Sequence, residues 1–252
     1  LLRKGWRFFV TQTTLFLLWQ RPKIGYTGAM KTSSSTPNQR LFQRLWNAAA
    51  RGNLEAIDAT LQAGAKINGQ GEGGRTPLHA AAAQGQVDAL KALIENGARL
   101  DVRDDENETA IVYGLKGRRP LDLRFEMIRS LAAAGAKTNV NDALGIPLSH
   151  SVAKIFSFEN LQELIALKMP LTGESNLNNE TFIHSLAEVG RFDADQTRFL
   201  VQQALRQGVN LEAMNSRRRT ALAVTAEQNH PEIAQVLLEQ GAKLDNVLDL
   251  VL

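Results

Sequence analysis

The sequence predicts an all-α solenoid of about six helix-turn-helix units joined by hairpin or extended tips, and three observations predict it. Glycines recur at a fixed interval: Gly52 and Gly85, then Gly64 and Gly97, each lie 33 residues apart, as do Thr76 and Thr109. Whole segments lie over one another at that period, NLEAIDATLQAGAKIN at 53–68 over QVDALKALIENGARLD at 86–101. A late block at 219–245 keeps the same internal spacing, with Thr220 and Gly241 separated by 21 residues as Thr76 and Gly97 are. Periods of this length mark units that cannot bury their apolar faces alone and stack to do so.

The unit at 75–107 shows why each element forms. Thr76 can cap a helix, and Pro77 suits the first helical position because its missing N–H would be unpaired there. Leu78 and His79 complete the first turn. Ala80 to Ala83 leave almost no side-chain volume, so a neighbouring helix pair can approach closely. Gly85 permits the left-handed turn that ends the helix, and Asn229 fills the same slot in the last unit. The second helix carries Val87, Leu90, Leu93 and Ile94 as one apolar stripe, and Gly97 stops it. At about 1.5–3 kcal/mol per fully buried Leu, Ile or Val, the stripe gains several kcal/mol only when another unit covers it.

Thr76-Pro77-Leu78-His79, the following Ala81-Ala82, Gly85, Leu93-Ile94 and Gly97-Ala98 resemble the ankyrin repeat. About six units cover 41–252, with limits near 41–74, 75–107, 108–144, 145–179, 180–218 and 219–252. The second and sixth match the family pattern well; the third, fourth and fifth depart from it. The resemblance implies a non-catalytic scaffold that binds another protein, with no cofactor, metal, nucleic acid or small-molecule substrate.

It also assigns the histidines. His79, and His184 in Thr181-Phe182-Ile183-His184, take the turn position, where the side chain bonds within and between adjacent turns. His230 falls at the entry to a second helix. Aligning Pro147 with Pro77 puts Ser149 in the turn slot and His150 one step later, facing the groove. No two histidines have i, i+4 spacing, and no phosphate-binding, dinucleotide-binding or nucleophile-elbow motif occurs. Asp193-Ala194-Asp195 lacks the later residues of a calcium loop and reads as a solvated insertion. Two Asn-Glu-Thr sequons, at Asn107 and Asn179, sit in the glycine slot of a tip, where asparagine tolerates the left-handed conformation.

The family's concave row carries over to Asn47, Ala80, Tyr113, His150, Ser185 and Val224, with Tyr113 as the expected anchor for a partner. The tips add a polarity. Asp104-Asp105-Glu106 follows the second unit and Arg217-Arg218-Arg219 the fifth, so an oppositely polarised partner would be steered in one orientation. Arg118-Arg119-Pro120 lies in a five-residue excess of the third unit, and such insertions map to loops that often carry recognition.

Charge placement excludes one function class. The chain has 29 basic and 26 acidic residues, but residues 1–40 hold seven of the basic and none of the acidic ones. The remainder is mildly acidic, which does not supply the concentrated basic face that phosphate backbones need. With no cysteine, thiolate chemistry and disulfides are excluded. Residues 1–40 also hold six of the fifteen aromatics. Their order of basic start, apolar run from Phe8 to Trp19 and small residues before Met30 resembles a signal peptide. Met30 as a start with upstream sequence before it, an export signal and an interfacial anchor all remain open readings. They place the protein in the cytoplasm, in the periplasm or outside the cell, or at a membrane surface respectively. Lys31 to Gln39 reads as a linker and Leu41 as the start of the folded body. At the other end, Val247 to Leu252 forms a short apolar run that reads either as a cap on the last unit or as sequence leading into more chain.

Overall fold

The computed structural model describes residues 36–244 except Arg118, Glu174 and Asn176. The leader and its signal-like run, Arg118 of the insertion, and Val247 to Leu252 lie outside the described residues.

Among the described residues, twelve α-helices run in six consecutive pairs: α1 (Pro37–Arg51) and α2 (Leu54–Gln62), α3 (Pro77–Gln84) and α4 (Val87–Glu95), α5 (Ala110–Lys116) and α6 (Leu121–Ala133), α7 (Leu148–Ile155) and α8 (Phe158–Ala166), α9 (Phe182–Val189) and α10 (Ala194–Arg206), and α11 (Ala221–Glu227) and α12 (Pro231–Glu239). A short 3-10 turn, Glu72–Gly74, precedes α3, and the described residues contain one isolated bridge, Asn141 to Pro147, and no strand. The last five pairs lie within 75–107, 108–144, 145–179, 180–218 and 219–252, and the first begins ahead of residue 41. The first helix starts at Pro37, inside the stretch expected to be a linker, because Pro37 sets the first turn and Leu45, Ala48 and Ala49 give the extended helix a buried face.

Small residues decide how close the units come. Ala49, Ala81, Ala82 and Ala110 are buried to 1% exposure or less, and α1, α3 and α5 pack in succession. The second helices stack alongside, α2 on α4, α4 on α6 and α6 on α8, with Leu90, Leu93, Ile128, Leu131, Leu161 and Leu164 fully buried between layers. Packing shifts sides in the irregular middle. Between the fourth and fifth units the close contact runs through the first helices, α7 on α9. Two edge-to-face aromatic pairs bridge this region, Phe125 with Phe156 and Phe158 with Phe199, each at 5.6 Å between ring centroids. These large rings do the work that alanine contacts do in the regular units.

Helix ends follow backbone chemistry. The second helices stop before Gly64, Gly97, Gly135, Gly208 and Gly241, all at positive φ, and in the fourth unit Lys168 takes that position at φ 64°. Asn229 ends α11 in the left-handed region at φ 58°.

Candidate protein-binding surface

Each tip is a short loop closed by the residue that opens it. The backbone N–H groups of Gly71, Asp104, Asp142 and Asn215 donate to the carbonyl four residues on, at 2.8–3.0 Å. In three of these the opening side chain also accepts two backbone N–H bonds: Asp104 from Glu106 and Glu108, Asp142 from Leu144 and Ile146, Asn215 from Arg217 and Arg219, all at 2.9–3.0 Å. The fourth loop residue then turns left-handed, at Gly74, Asn107, Gly145 and Arg218. The tip opened by Ser175 is one residue longer, with Ser175 N–H donating to the Glu180 carbonyl and Asn179 at φ 52°.

A histidine ladder joins these tips to the helices. The Nδ1 of His79 accepts from the Thr76 N–H at 3.2 Å and lies 2.8 Å from the Thr76 hydroxyl. Its Nε2 then carries the proton and donates to the Glu108 carbonyl of the next tip at 3.3 Å. His184 repeats the pattern with Thr181 and, at 3.0 Å, the Arg219 carbonyl. The neutral ring is the form these bonds require, and burial lowers the His79 pKa accordingly.

His150 belongs to this ladder and not to the groove. It is 1% exposed, and its Nε2 donates to the Glu180 carbonyl at 3.0 Å. The one-residue error arises because Pro147 occupies the cap position, where Thr76 stands in the second unit, instead of the first helical position of Pro77. Proline has neither N–H nor hydroxyl to offer the ring, and the Ser149 hydroxyl stands 3.5 Å from His150 Nδ1 instead. Burial lowers the His150 pKa to about 4. His230 caps α12 and packs its ring over Gly190, where an added Cβ would overlap it.

The expected concave row is largely closed. Ser185, Ala80 and Val224 are 0%, 1% and 8% exposed, because the units approach closely at this level. Tyr113 is half-buried and its polar end is taken: the hydroxyl donates to Asp104 at 2.6 Å, and the ring stands edge-on to His79 at 5.3 Å. Burial and the Asp104 carboxylate raise the Tyr113 pKa, so the phenol stays protonated.

The open groove positions lie one turn further on, at Lys116, Lys154, Glu188 and Glu227, and their charges are spoken for. Lys116 pairs with Glu108, and its Nζ is 3.9 Å from Asp142. Lys154 pairs with Glu188 and lies 3.8 Å from Glu180, and Arg219 meets Glu227 at 2.6 Å. Burial raises the Glu108 pKa while Lys116 opposes the shift. A second ladder crosses the back, Lys91 to Glu126 at 2.9 Å, Glu126 to Arg129 at 2.5 Å and Arg129 to Glu163 at 3.6 Å.

The tip charges divide differently from the sequence expectation. Asp104 is buried as a loop-closing acceptor, and Arg219 is turned into the groove. Asp105, Glu106, Arg217 and Arg218 are exposed, and no ion pair forms on them among the described residues. Arg119 of the insertion folds back on the second unit, donating to Gln84 at 3.0 Å with its stem over Gly85. Sequence reasoning missed Asp142 and Asn215, although an Asx residue five positions before each cap was available as the signal. It also missed Leu144 and Leu177, exposed at 47% and 57% on the third and fourth of the five tips.

Six stacked helix pairs with a histidine ladder define an ankyrin repeat solenoid. A family model described as ankyrin repeats (3 copies) matches residues 45–142 and again 149–247, and the chain belongs to that family. Among solved structures, an ankyrin repeat domain from Acinetobacter baumannii AYE is similar at 23% identity and TM-score 0.66, covering 79% of this chain and 98% of that one. A chain from the complex of a predatory endopeptidase of Bdellovibrio bacteriovorus with an immunity protein is 25% identical at TM-score 0.63, with the same two coverages of 79% and 98%. The human ASB11 ankyrin repeat domain is 25% identical at TM-score 0.58, covering 80% of this chain and 85% of that one. No curated protein matches. Ankyrin repeats are protein–protein interaction modules, and the fold generally serves as a non-catalytic binding scaffold. Among the described residues, no helix is long and apolar enough to cross a membrane.

Proposed function

We propose that this protein is a non-catalytic scaffold that holds one partner protein chiefly along its tips, with the groove beside them as a secondary contact. One observation carries the reading. The groove cations and carboxylates are paired with each other, whereas the exposed tip charges Asp105, Glu106, Arg217 and Arg218 form no ion pair among the described residues. A binding partner would have to break Lys154–Glu188 or Arg219–Glu227 to use the groove charges, but gains the attraction of Asp105, Glu106, Arg217 and Arg218 without that loss.

A second reading, a protective protein that blocks a peptidase, is favoured by the 25% identity to a chain of the endopeptidase–immunity complex. It fits an exported form, for which the signal-like order of residues 1–29 provides the motive. One experiment addresses both. The tagged protein is crosslinked in cells of its native source and the partner identified, with reversal of Arg217 and Arg218 to glutamate as the control. Loss of the partner on reversal supports the tip assignment, and a recovered peptidase that the pure protein inhibits supports the protective reading. Equal recovery by both proteins overturns the tip assignment.

A further inference from the structure

The third position of successive tips reads Gly73, Glu106, Leu144, Leu177, Arg217, so two exposed leucines on neighbouring tips stand between an exposed acid and an exposed base. The row is rigid. Asp105 N–H donates to the Gly73 carbonyl at 3.0 Å, Ala143 N–H to the Glu108 carboxylate at 2.5 Å, and Ser216 N–H to the Asn178 carbonyl at 2.7 Å, tying each of these tips to a neighbour. Arg103, the basic group beside the acidic end, is turned back onto the Asn107 carbonyl at 2.9 Å.

We infer that the tip row is a docking edge for one amphipathic helix of a partner protein, carrying a basic residue, two apolar residues and an acidic residue at seven-residue steps. This rests on the protein-binding reading above and specifies what the partner must present. The step length selects a helix. Tips of adjacent stacked units are separated by roughly 8–10 Å, the distance between packed helices. Seven residues of α-helix advance about 10.5 Å and return to nearly the same face, drifting only about 20°. An extended strand advances about 10 Å in three residues, which turns the next side chain to the opposite face. Leu144 and Leu177 would each cover one apolar side chain, with the basic residue over Asp105 and Glu106 and the acidic one over Arg217 and Arg218. Like charge at either end opposes binding, which gives the edge its selectivity.

The test uses synthetic helical peptides of about 25 residues in an alanine–glutamine background, read by fluorescence anisotropy at low salt against the full chain. The reference peptide carries Lys, Leu, Leu and Glu at seven-residue steps. It is expected to bind at least tenfold more tightly than peptides with Lys at both ends, with Glu at both ends, or with both leucines moved two positions along. Exchanging its Lys and Glu is not a useful control, because the helix can reverse on the edge. The decisive variant is Asp105→Lys with Glu106→Lys, which makes both ends of the edge basic while keeping Asp104 to close the loop. It is expected to prefer the peptide with Glu at both ends over the reference peptide. Leu144→Ser with Leu177→Ser, on exposed positions that leave the fold intact by circular dichroism, is expected to weaken the reference peptide at least tenfold. An unchanged order of preference in the lysine variant, or equal binding of the peptide with displaced leucines, overturns the inference. So does concentration-dependent self-association that the leucine-to-serine variant abolishes, which would make a second copy the occupant. A native partner lost on reversal of Arg217 and Arg218 but lacking such a helix sinks this inference while leaving the protein-binding reading standing.

Discussion

Acid should unfold this protein partly through one residue, His150, and substitution by glutamine should remove that part. The ring is 1% exposed, its pKa is lowered from 6.5 to about 4, and the principal cause is burial, with the Lys154 charge adding to it. Because the folded-state value lies below the unfolded one, the unfolded chain binds more protons between them. The stability is therefore intact above pH 6.5, falls as pH drops through the window, and levels off below about 4. Over pH 8 to pH 5 the linkage amounts to about 2 kcal/mol, a factor of roughly thirty in the folded-to-unfolded ratio. His79 acts in the same direction, and Glu108, whose pKa is raised, acts in the opposite one. Comparing wild type with His150→Gln isolates the single site, since the glutamine amide can still donate to the Glu180 carbonyl. Urea unfolding followed by far-UV circular dichroism at pH 8 and pH 5, at one salt concentration, gives the two differences. Wild type should lose about 2 kcal/mol more than the variant across that interval. Equal losses would refute the claim that this imidazole is held neutral by burial.

Further outcomes follow from the turns and the tips. Gly190→Ala forces a Cβ into the His230 ring at a φ of 64° and should cost at least about 2 kcal/mol, whereas Gly208→Ala, at φ 89° with open space beside it, should cost about 1. Both are read from urea midpoints. Lys168→Gly relieves a left-handed lysine where the other units have glycine, and should stabilise by about 0.5–1 kcal/mol, seen as a higher Tm. Tyr113→Phe deprives Asp104 of its 2.6 Å donor and should destabilise by about 1–3 kcal/mol, in a thermal scan at neutral pH.

The helices were legible because their rules are local. Thr76 and Pro77 announce a start, Gly85 and Gly97 a stop, and the 33-residue period carries those signals into units that have lost half of them. The left-handed glycine slots at Asn107 and Asn179 could be read for the same reason, and both asparagines have positive φ. His150 was misplaced because a proline serves as the helix cap in one unit and as the first helical residue in another, and sequence spacing alone weighs the two equally. The concave row could not be read at all. Whether Ser185 or Lys154 reaches solvent depends on the separation of neighbouring helices, which is set by the alanines and rings between them and not by either residue.

That separation also explains why the proposed recognition falls at the edge. Close stacking buries the row nearest the tips, and the next row out is held in register by pairing its own charges, Lys154 with Glu188 across a unit boundary and Lys116 with Glu108 beside a tip. Charges that align the units are thereby withdrawn from a partner. The tip loops themselves are closed by Asp104, Asp142 and Asn215 through backbone N–H groups and not by these ion pairs. Their apical residues are released from structural duty, and it is there that acid, leucine, leucine and arginine follow one another. A substitution at Leu177 can alter what the protein binds with little effect on whether it folds, whereas one at Asn215 alters both.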